Sequence, residues 1–467
     1  MATADLGVRA WAKRQFAGAD LGDRRRTLRL ANVAADIANK PVGTLPPAFD
    51  SWAELKAAYR LLEDPAVTFE RIIAPHWQNT RQACERPGQY LMIEDTTSLD
   101  FSRRRNVQGL GPIGNGGGTG LNVHSTLAVR VEGWTVQHEP TVAVVGLLGQ
   151  HCWVRPTEPK RGRETLRQRL QRPRESERWA RVFEALDLLP PDVQWIYVAD
   201  RDSDVYEALQ RCRRRGVDFV VRANQARALA GAGGSVFEAV ARTAPLGRYE
   251  LRLRARPGIA ARTAVLELRS ARVALRPPWR PGGRGEPLEV NVVEAKEVNA
   301  PAGVEPIRWV LLTSLPVATF ADARRVVALY AKRWLIEEYH KALKTGVGAE
   351  RTELATAARI QSLLGILAVV AVRLLQLKYA AKARPEEPVD PSVFGSEALT
   401  ILTARHGVPE SGWTNRAVTV AVARLGGYLA RRSDGPPGWL TIWRGWQGLV
   451  LMLQGFLLAE RETEKCG

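Results

Sequence analysis

Cysteine, methionine and histidine are scarce in this chain, and none of them occurs in a metal-binding or redox pattern. The 467 residues include four cysteines, three methionines and six histidines. No two cysteines form a C-x-x-C pair, which argues against a disulfide framework or a zinc site and fits a reducing compartment. The histidines show neither H-x-H nor H-x-x-x-H spacing, so a histidine metal site is not predicted. The G-x-S-x-G and Walker A motifs are absent as well.

Long apolar runs are also missing. The longest apolar run without a charged residue, Ile360 to Val372, has 13 residues, whereas a membrane-spanning helix needs about 20. We therefore expect a buried helix there. The first residues, MATADLGVRAWAKRQF, contain no apolar segment of the kind that a secretory signal needs. On these grounds we expect no membrane contact and no secretion.

Acidic residues are fewer than basic residues in this chain. Lysine and arginine outnumber aspartate and glutamate by 67 to 49, which gives a net charge of +18 and a pI of about 10.2. Such an excess points first to a polyanion, most often a nucleic acid. An arginine bias from a GC-rich genome is the alternative. The excess is concentrated, however, because residues 155–181 contain ten basic and only four acidic residues.

Hydrophobic periodicity divides the chain into regions. Apolar positions recur at helical spacing near the N-terminus, change to strand spacing from about residue 89, and return to helical spacing after Ile360. A central region alternates with period two around Gly/Pro-rich turns, which predicts an all-β insertion. The predicted fold class is α/β, with a sheet-based core between two helical domains. The predicted boundaries are 1–68 for the N-terminal domain, 69–370 for the core with its insertion at about 225–308, and 371–467 for the C-terminal domain.

A cluster of arginines marks the start of one N-terminal helix. In the segment GDRRRTLRL, Arg25, Arg26 and Arg29 follow Asp23, which is a suitable helix N-cap. Such a cluster can bind phosphates. The overall positive charge favours this reading over a solvated, charged helix end.

Acids stand at the ends of two predicted buried strands. Glu94 and Asp95 follow LMI, and Asp200 follows WIYVA. Ligands collect at the carboxyl ends of sheet strands, and carboxylate oxygens suit a pair of Mg²⁺ ions. Two metal ions about 4 Å apart can activate a nucleophile and stabilise the leaving oxygen of a phosphoryl displacement. Because acids at strand ends are common, the pattern needs a third carboxylate to become specific.

The stretch YAKRWLIEEYHKALK, residues 330–344, is predicted to be a helix that supplies the third acid, Glu337 or Glu338. A phenol, two cations and a carboxylate would leave its surface within about 60° of one another; they are Tyr330, Arg333, Lys344 and Glu337. Such a face suits metal and phosphate together. A surface helix with an i,i+4 ion pair is the alternative, and spacing alone does not decide between them.

A glycine-rich loop offers a competing motif. Gly109, Gly111 and Gly114 spell G-x-G-x-x-G, but Pro112 lies inside the motif, and a strand rather than a helix follows. A nucleotide cofactor is therefore not predicted. We expect the loop to be a hairpin connection near the candidate site.

Taken in order, these segments resemble the DDE cut-and-paste transposases of the bacterial insertion sequence 4 family. The family motif Y-(2)-R-(3)-E-(6)-K stands unbroken in residues 330–344. Similar segments occur along nearly the whole chain, among them LGDRRRTLRLANVA, IEDTTSL, VADRDSDVY, FVVRAN, RWVLLTSLPV and ARLGGYLARR. The resemblance implies an RNase H-like mixed-sheet catalytic core that is interrupted by the β insertion.

The resemblance also implies roles for individual residues. Asp95, Asp200 and Glu337 would form the catalytic, metal-binding triad, with two Mg²⁺ ions per active site and Mn²⁺ as a substitute. The implied DNA contacts are Arg25, Arg26, Arg29, Arg222, Trp309, Tyr330, Arg333 and Lys344. Among these, Trp309 would stack on a flipped nucleotide. Asn224 departs from the pattern, because a close family member has a basic residue there.

The implied protein is a bacterial, cytoplasmic, nucleoid-associated homodimer that acts on double-stranded DNA. It would bind inverted transposon ends through its N-terminal domain and pair protomers through its C-terminal domain. It would then nick the DNA, form and reopen a hairpin, and join the 3′ ends to target DNA. Two alternatives remain open: a catalytically inactive, domesticated DNA-binding protein, and an RNase H-like nuclease that cuts without joining.

Overall fold

A large mixed β-sheet with helices on both faces forms the centre of the molecule. The computed structural model describes residues 4–40, 43–104, 106–114, 117–157, 190, 192–231, 233–253, 260–280, 283–298, 300–389, 394–431 and 434–466. The α/β class predicted from periodicity is confirmed. Most of the basic stretch 155–181 lies outside the described residues.

Four helices form the N-terminal region: α1 (Ala4–Phe16), α2 (Arg24–Asn39), α3 (Trp52–Glu63) and α4 (Phe69–Ala83). Polar side chains cap three of them, because the first N–H groups of a helix have no partner within it. Asp23 caps α2 as predicted, and its Oδ1 accepts a hydrogen bond from the Arg25 N–H at 2.8 Å. Ser51 and Thr68 cap α3 and α4. The apolar faces of these helices join one core with the sheet.

The sheet is mixed, with parallel strands at its centre. Its first strands are β1 (Gly88–Asp100), β2 (Gly111–Ile113), β3 (Gly118–Trp134), β4 (Pro140–Trp153), β5 (Val193–Ala199) and β6 (Asp218–Arg222). The spatial order is β2-β3-β1-β5-β6, and β4 also pairs with β3. The β1-β5 and β5-β6 pairs are parallel, while β3 runs antiparallel to β1. The buried residues in the middle of β5 and β6 are apolar, because helices cover both faces of these strands.

The predicted insertion continues the same sheet. It contains β7 (Gly247–Leu253), β8 (Arg262–Leu275), β9 (Trp279–Arg280), β10 (Gly283–Arg284) and β11 (Leu288–Val298), and β12 (Arg308–Thr313) follows it. Strands β7, β8 and β11 extend the sheet in the order β6-β12-β11-β8-β7, so β12 joins them to the core, whereas β9 and β10 form a separate two-stranded sheet. The region is β-rich rather than all-β, because Ser235 and Glu238 form a capping box that begins a short helix at residue 236.

The remaining helices cover the two faces and build the C-terminal region. They are α5 (Tyr206–Arg214), α6 (Val236–Ala241), α7 (Phe320–Ala331), α8 (Trp334–Lys341), α9 (Ala357–Ala383), α10 (Ser396–His406), α11 (Asn415–Leu425) and α12 (Trp439–Cys466). Helices α5 and α6 pack on one face of the sheet, with α8, α9 and the N-terminal helices on the other. The last three helices share a smaller core of their own.

Helix α9 contains the apolar run from Ile360 to Val372, which is buried as predicted. Among the described residues it is the one helix long and apolar enough to cross a membrane, and 83% of its most apolar window is buried. It packs against β4 and α4. The apolar run is therefore the core of the molecule. The same helix carries the chain without interruption through residue 370, where a domain boundary was expected.

Candidate functional site

Asp95 lies within β1 rather than at its end. β1 continues to Asp100 because it pairs with β3 along its length, and Asp95 stands opposite Ser125. The parallel pairing with β5, however, stops at Ile93 and Val198. Asp95 thus lies just beyond the last residue of β1 that pairs with β5. The predicted strand end is therefore the end of the parallel pairing with β5, while the antiparallel pairing with β3 continues.

Asp200 is the first residue after β5, as predicted, and it caps a short 3₁₀ turn. Its Oδ1 accepts a hydrogen bond from the Asp202 N–H at 2.9 Å. In the same way, Oδ1 of Asp95 accepts one from the Thr96 N–H at 2.8 Å. In each aspartate one oxygen is thus held by nearby backbone, which fixes the orientation of the carboxylate.

Residues 330–344 do not form one continuous helix, so the prediction of a regular face is wrong. The chain turns more tightly between α7 and α8, where the Lys332 and Arg333 N–H groups bond to carbonyls three residues earlier. A π-turn then replaces the α-helix from residue 342, closed by a 2.7 Å bond from the Val347 N–H to the Ala342 carbonyl. Helical spacing of 100° per residue therefore holds only within α8.

Arg333 joins two of the predicted acids. Its Nη1 lies 3.5 Å from Oδ2 of Asp95, and its Nη2 donates a hydrogen bond to Oε1 of Glu337, one turn along α8. The Arg333 side chain is only 17% exposed, so these contacts are weakly screened by solvent. Asp95 from the sheet and Glu337 from the helix thus meet across one guanidinium.

Asp95 interacts electrostatically with both of the other predicted acids. Burial is the main reason why the pKa of Asp95 is raised to about 6, and the charges of Asp200 and Glu337 raise it further. The Thr96 N–H and Arg333 oppose this rise without cancelling it. Asp95 is therefore close enough to Asp200 and Glu337 to be repelled by both, and a divalent cation beside Asp95 would relieve that repulsion.

The donor set fits a hard divalent cation, because carboxylate oxygens are the ligands that Mg²⁺ prefers. In the part of the chain that the structure describes, no three His, Cys, Asp or Glu side chains are gathered closely enough to hold an ion as they stand. Arg333 contacts both Asp95 and Glu337. For these two carboxylates to share an ion, Arg333 would have to release one or both of them.

Three of the expected DNA contacts meet beside the acids. Trp309 on β12 is half-buried and packs edge-to-face on Tyr330, with ring centroids 5.1 Å apart. Arg222 ends β6 and donates a hydrogen bond to the Arg308 carbonyl at 3.1 Å. Burial raises the pKa of Tyr330, which the positive charges of Arg333 and Arg222 partly offset. Arg333 and Arg222 thus both act on the Tyr330 phenol, beside the carboxylates that Arg333 contacts.

Lys344, in the π-turn, lies beside the end of β1 that is distant from Asp95. Its Nζ is 3.7 Å from Oε1 of Glu350, and the same oxygen accepts a hydrogen bond from the Asp100 N–H at 3.0 Å. Five residues of strand separate Asp100 from Asp95, which corresponds to about 17 Å. The structure therefore places Lys344 near the far end of β1 rather than with the acids.

The arginines of α2 differ in their exposure and in their contacts. Arg25 is 89% exposed and pairs with Asp23 at 2.9 Å. Arg26 pairs with Asp64 at 2.6 Å and thereby ties α2 to the end of α3. Arg29 is exposed. Arg25 and Arg29 face solvent, whereas Arg26 also has a structural contact.

Sequence analysis missed a buried acid that holds the loop after β6. Asp204 accepts hydrogen bonds from Nε of Arg227 at 2.6 Å and from the Asn224 N–H at 2.8 Å. This positions the backbone around Asn224 beside the turn that Asp200 caps. The D-x-x-x-D spacing from Asp200 to Asp204 was the one sequence feature that could have indicated it.

A row of buried polar side chains behind Asp95 was also missed. Nε2 of Gln150 on β4 donates to Oγ of Ser125 at 2.8 Å and to Oη of Tyr339 at 2.9 Å. Ser125 stands opposite Asp95 in the ladder, and Tyr339 lies two residues after Glu337. The row links α8 to β3, the strand that pairs with β1 at Asp95, and no local sequence pattern indicates it.

Comparison with protein families identifies the chain. The transposase DNA-binding family matches residues 8–67, and the transposase DDE domain matches residues 161–373. The first match includes the arginines of α2. The second includes Asp200 and Glu337, while Asp95 lies before its first residue. Together the matches span more than half of the chain.

The matched families account for the architecture and the chemistry. The mixed sheet covered by helices is the RNase H-like fold of a DDE domain. DNA is the partner of these domains, and divalent metal ions are their general cofactor. The chain belongs to the DDE transposases, metal-dependent enzymes that cleave DNA and transfer its strands.

Proposed function

We propose that the chain is a cut-and-paste transposase of the bacterial insertion sequence 4 family, similar to the transposase of transposon five. Asp95, Asp200 and Glu337 are its catalytic, metal-binding residues. The observation that carries this assignment is the meeting of Asp95 and Glu337 across Arg333, together with the charges of Asp200 and Glu337, which add to the effect of burial in raising the pKa of Asp95 to about 6. Repulsion between buried carboxylates lowers the stability of the folded protein, and such groups with perturbed pKa values are typical of functional sites.

The metal chemistry would be that of a two-ion site. Two Mg²⁺ ions, for which Mn²⁺ can substitute, supply Lewis-acid activation of the attacking oxygen and stabilisation of the leaving oxygen. The three carboxylates hold and orient these ions. The attacking groups are water in the first cut and 3′-hydroxyls in hairpin formation and strand joining.

The residues around the carboxylates hold the DNA strand. Arg333 and Tyr330 bind a phosphate beside the scissile bond, and this gives Arg333 an anion to contact when it releases Asp95. Arg222 and Lys344 bind phosphates on either side along the strand. Trp309 stacks on a flipped nucleotide, a contact worth about 1–3 kcal/mol per base.

The other regions of the chain bring two DNA ends together in the cytoplasm. Residues 1–68 bind the inverted ends through Arg25, Arg26 and Arg29, and residues 69–370 form the catalytic core. Residues 371–467 pair two protomers. A homodimer can then hold both ends and a target site in one complex.

The triad is tested by alanine substitution. We expect Asp95→Ala, Asp200→Ala and Glu337→Ala each to abolish cleavage of the inverted ends that flank the coding region, while end binding remains within about twofold. Cleavage is measured on gels with Mg²⁺, and binding by mobility shift. Cleavage by any purified single variant at the normal rate would contradict the assignment.

The hairpin step is tested through Trp309. If the indole stacks on a flipped base, Trp309→Ala should slow hairpin formation by about tenfold or more, in line with 1–3 kcal/mol of stacking. First-strand nicking should change much less, and Trp309→Phe should restore part of the rate. Denaturing gels resolve nicked, hairpin and linear products. Linear products without any hairpin would instead indicate a nuclease that does not transfer strands.

A further inference from the structure

Glu338, the neighbour of the proposed metal ligand, has two partners on a different element. Its Oε1 accepts a hydrogen bond from Nζ of Lys378 at 2.7 Å, and its Oε2 accepts one from Oη of Tyr379 at 2.7 Å. Lys378 and Tyr379 are consecutive residues of α9. Both oxygens of Glu338 are thus engaged by the helix that crosses the core.

This contact is shielded from solvent. The side chains of Glu338 and Lys378 are each 17% exposed. Burial, and then the charge of Glu338, raise the pKa of Tyr379, so the phenol keeps its proton and acts as the donor. Hydrogen bonds to a carboxylate from a cation and a phenol are among the stronger contacts in proteins. Helix α8 cannot turn about its axis without breaking them.

The orientation of α8 decides where Glu337 points. Consecutive side chains leave an α-helix 100° apart, so holding Glu338 against α9 sets the direction of Glu337. A carboxylate about 6 Å from the helix axis moves by about 2 Å when the helix turns by 20°. A displacement of about 1 Å can reduce a rate by about 10²-fold.

Helix α8 needs such support because it is short. It has eight residues, a tight turn precedes it, and a π-turn follows it. The orientation of its backbone is therefore not fixed by a longer, continuous helix. The hydrogen bond from Gln150 to Tyr339 holds α8 to the sheet, and the contacts of Glu338 hold it to α9. Glu337 lies next to Glu338 in this held turn.

We infer that Glu338, held by Lys378 and Tyr379, is a positioning residue that directs Glu337 towards Asp95 and thereby sets the affinity of the site for divalent ions. The inference rests on the proposed role of Glu337 as a metal ligand. Helix α9 would then contribute to the reaction by holding Glu338 in place. The same helix contacts α11 of the C-terminal region, so the positioning contact lies between the acids and that region.

The test measures metal binding directly. Mn²⁺ is titrated into the full-length protein bound to double-stranded DNA, and free Mn²⁺ is followed by electron paramagnetic resonance. Glu338→Ala should weaken Mn²⁺ binding by about tenfold or more, as loss of outer supporting contacts does in metal sites. Glu338→Gln keeps an acceptor for Tyr379 but loses the charge, so its effect should be intermediate. DNA affinity should stay within twofold.

Two further sets of variants complete the test. Lys378→Met and Tyr379→Phe leave Glu338 in place and should each weaken Mn²⁺ binding, which keeps the inference testable if Glu338→Ala does not fold. Glu132→Gln is the matched control, because it breaks the ion pair of Glu132 with Arg384, the residue that follows α9 as its C-cap. The control should bind Mn²⁺ like the unmodified protein.

Two outcomes overturn the inference. If Glu337→Ala weakens Mn²⁺ binding while Glu338→Ala, Lys378→Met and Tyr379→Phe stay within twofold of the unmodified protein, the positioning role is refuted and the metal-ligand role of Glu337 stands. If Glu337→Ala itself leaves Mn²⁺ binding unchanged, the proposed ligand role fails, and the positioning role fails with it.

Discussion

Asp95 bears an unfavourable charge in the metal-free protein. Its side chain is 23% exposed, and burial together with the charge of Asp200 raises its pKa to about 6 from an ordinary value of 3.8. This difference corresponds to a loss of folding stability of up to about 3 kcal/mol when the group is ionised. Arg333 reduces the cost but does not remove it. A site that repels its own carboxylates is prepared to bind a cation.

The charge of Asp95 predicts a pH dependence of folding. Because its pKa is higher in the folded protein, the folded state binds more protons than the unfolded chain between about pH 4 and 6, and stability falls as pH rises through this window. Asp95→Asn removes the effect. Without metal, the variant and the unmodified protein should have similar stability near pH 4. Above pH 6 the variant should be more stable, by up to about 3 kcal/mol.

Urea denaturation in the presence of a chelator, repeated from pH 4 to 8, measures this difference. Asp202→Asn serves as the control, because Asp202 is an exposed acid two residues from Asp200. The control should not show the same gain above pH 6. A variant Asp95→Asn that is less stable than the unmodified protein at pH 8 would refute the electrostatic account.

Among the secondary-structure elements, the segment from α7 to the π-turn decides how the motif residues are displayed. The tight turn before α8 brings Arg333 to Asp95, while Glu337 follows one helical turn later. The π-turn brings Lys344 beside Glu350. π-turns occur frequently at functional sites. The tight turn and the π-turn therefore place the residues of one short motif at different points along β1.

The position of Lys344 predicts its effect on DNA binding. If it contacts a phosphate, Lys344→Gln should weaken binding and reduce the slope of log affinity against log salt by about one. Glu350→Gln removes the acid that pairs with Lys344 and should strengthen binding without reducing the slope. Mobility-shift titrations at several salt concentrations measure both quantities. An unchanged slope in Lys344→Gln would mean that its ammonium only pairs with Glu350.

Local sequence patterns predicted most elements correctly. The N-cap at Asp23, the strands before Asp200 and Arg222, and the buried helix through Ile360–Val372 all appear where periodicity and capping residues placed them. The breaks inside residues 330–344 were not predictable in this way. No glycine or proline marks them until Gly346, so nothing in the local pattern distinguishes the break from a regular helix.

Across the whole molecule, α9 connects the sheet to the C-terminal helices. Its first half lies in the core beside β4, and its second half meets α11. The last helix, α12, has 28 residues and carries exposed apolar side chains at Leu451 and Met452. Exposed apolar residues on a long helix are suited to contact with a second protomer. This is the surface that the proposed homodimer would use.

This surface predicts the behaviour of a charged variant. Leu451→Asp should leave the binding of one DNA end unchanged, because α12 packs mainly against α10 and α11 of the C-terminal region. It should reduce the complex of two ends with two protomers by about tenfold or more. Native gels and light scattering distinguish the two species. Arg444→Ala, at another exposed position of α12, should form the paired complex normally, and normal pairing by Leu451→Asp would exclude this part of α12 from the interface.

The class of the protein and the residues of its motif could be predicted from the sequence, because hydrophobic period, capping residues and motif spacing are local properties. The tertiary structure was needed to learn that Asp200 and Glu337 both repel Asp95, that Arg333 lies between Asp95 and Glu337, and that Glu338 contacts Lys378 and Tyr379 instead. These contacts join residues that are far apart in the chain. Their approach depends on how strands pair and helices pack, which no local pattern contains.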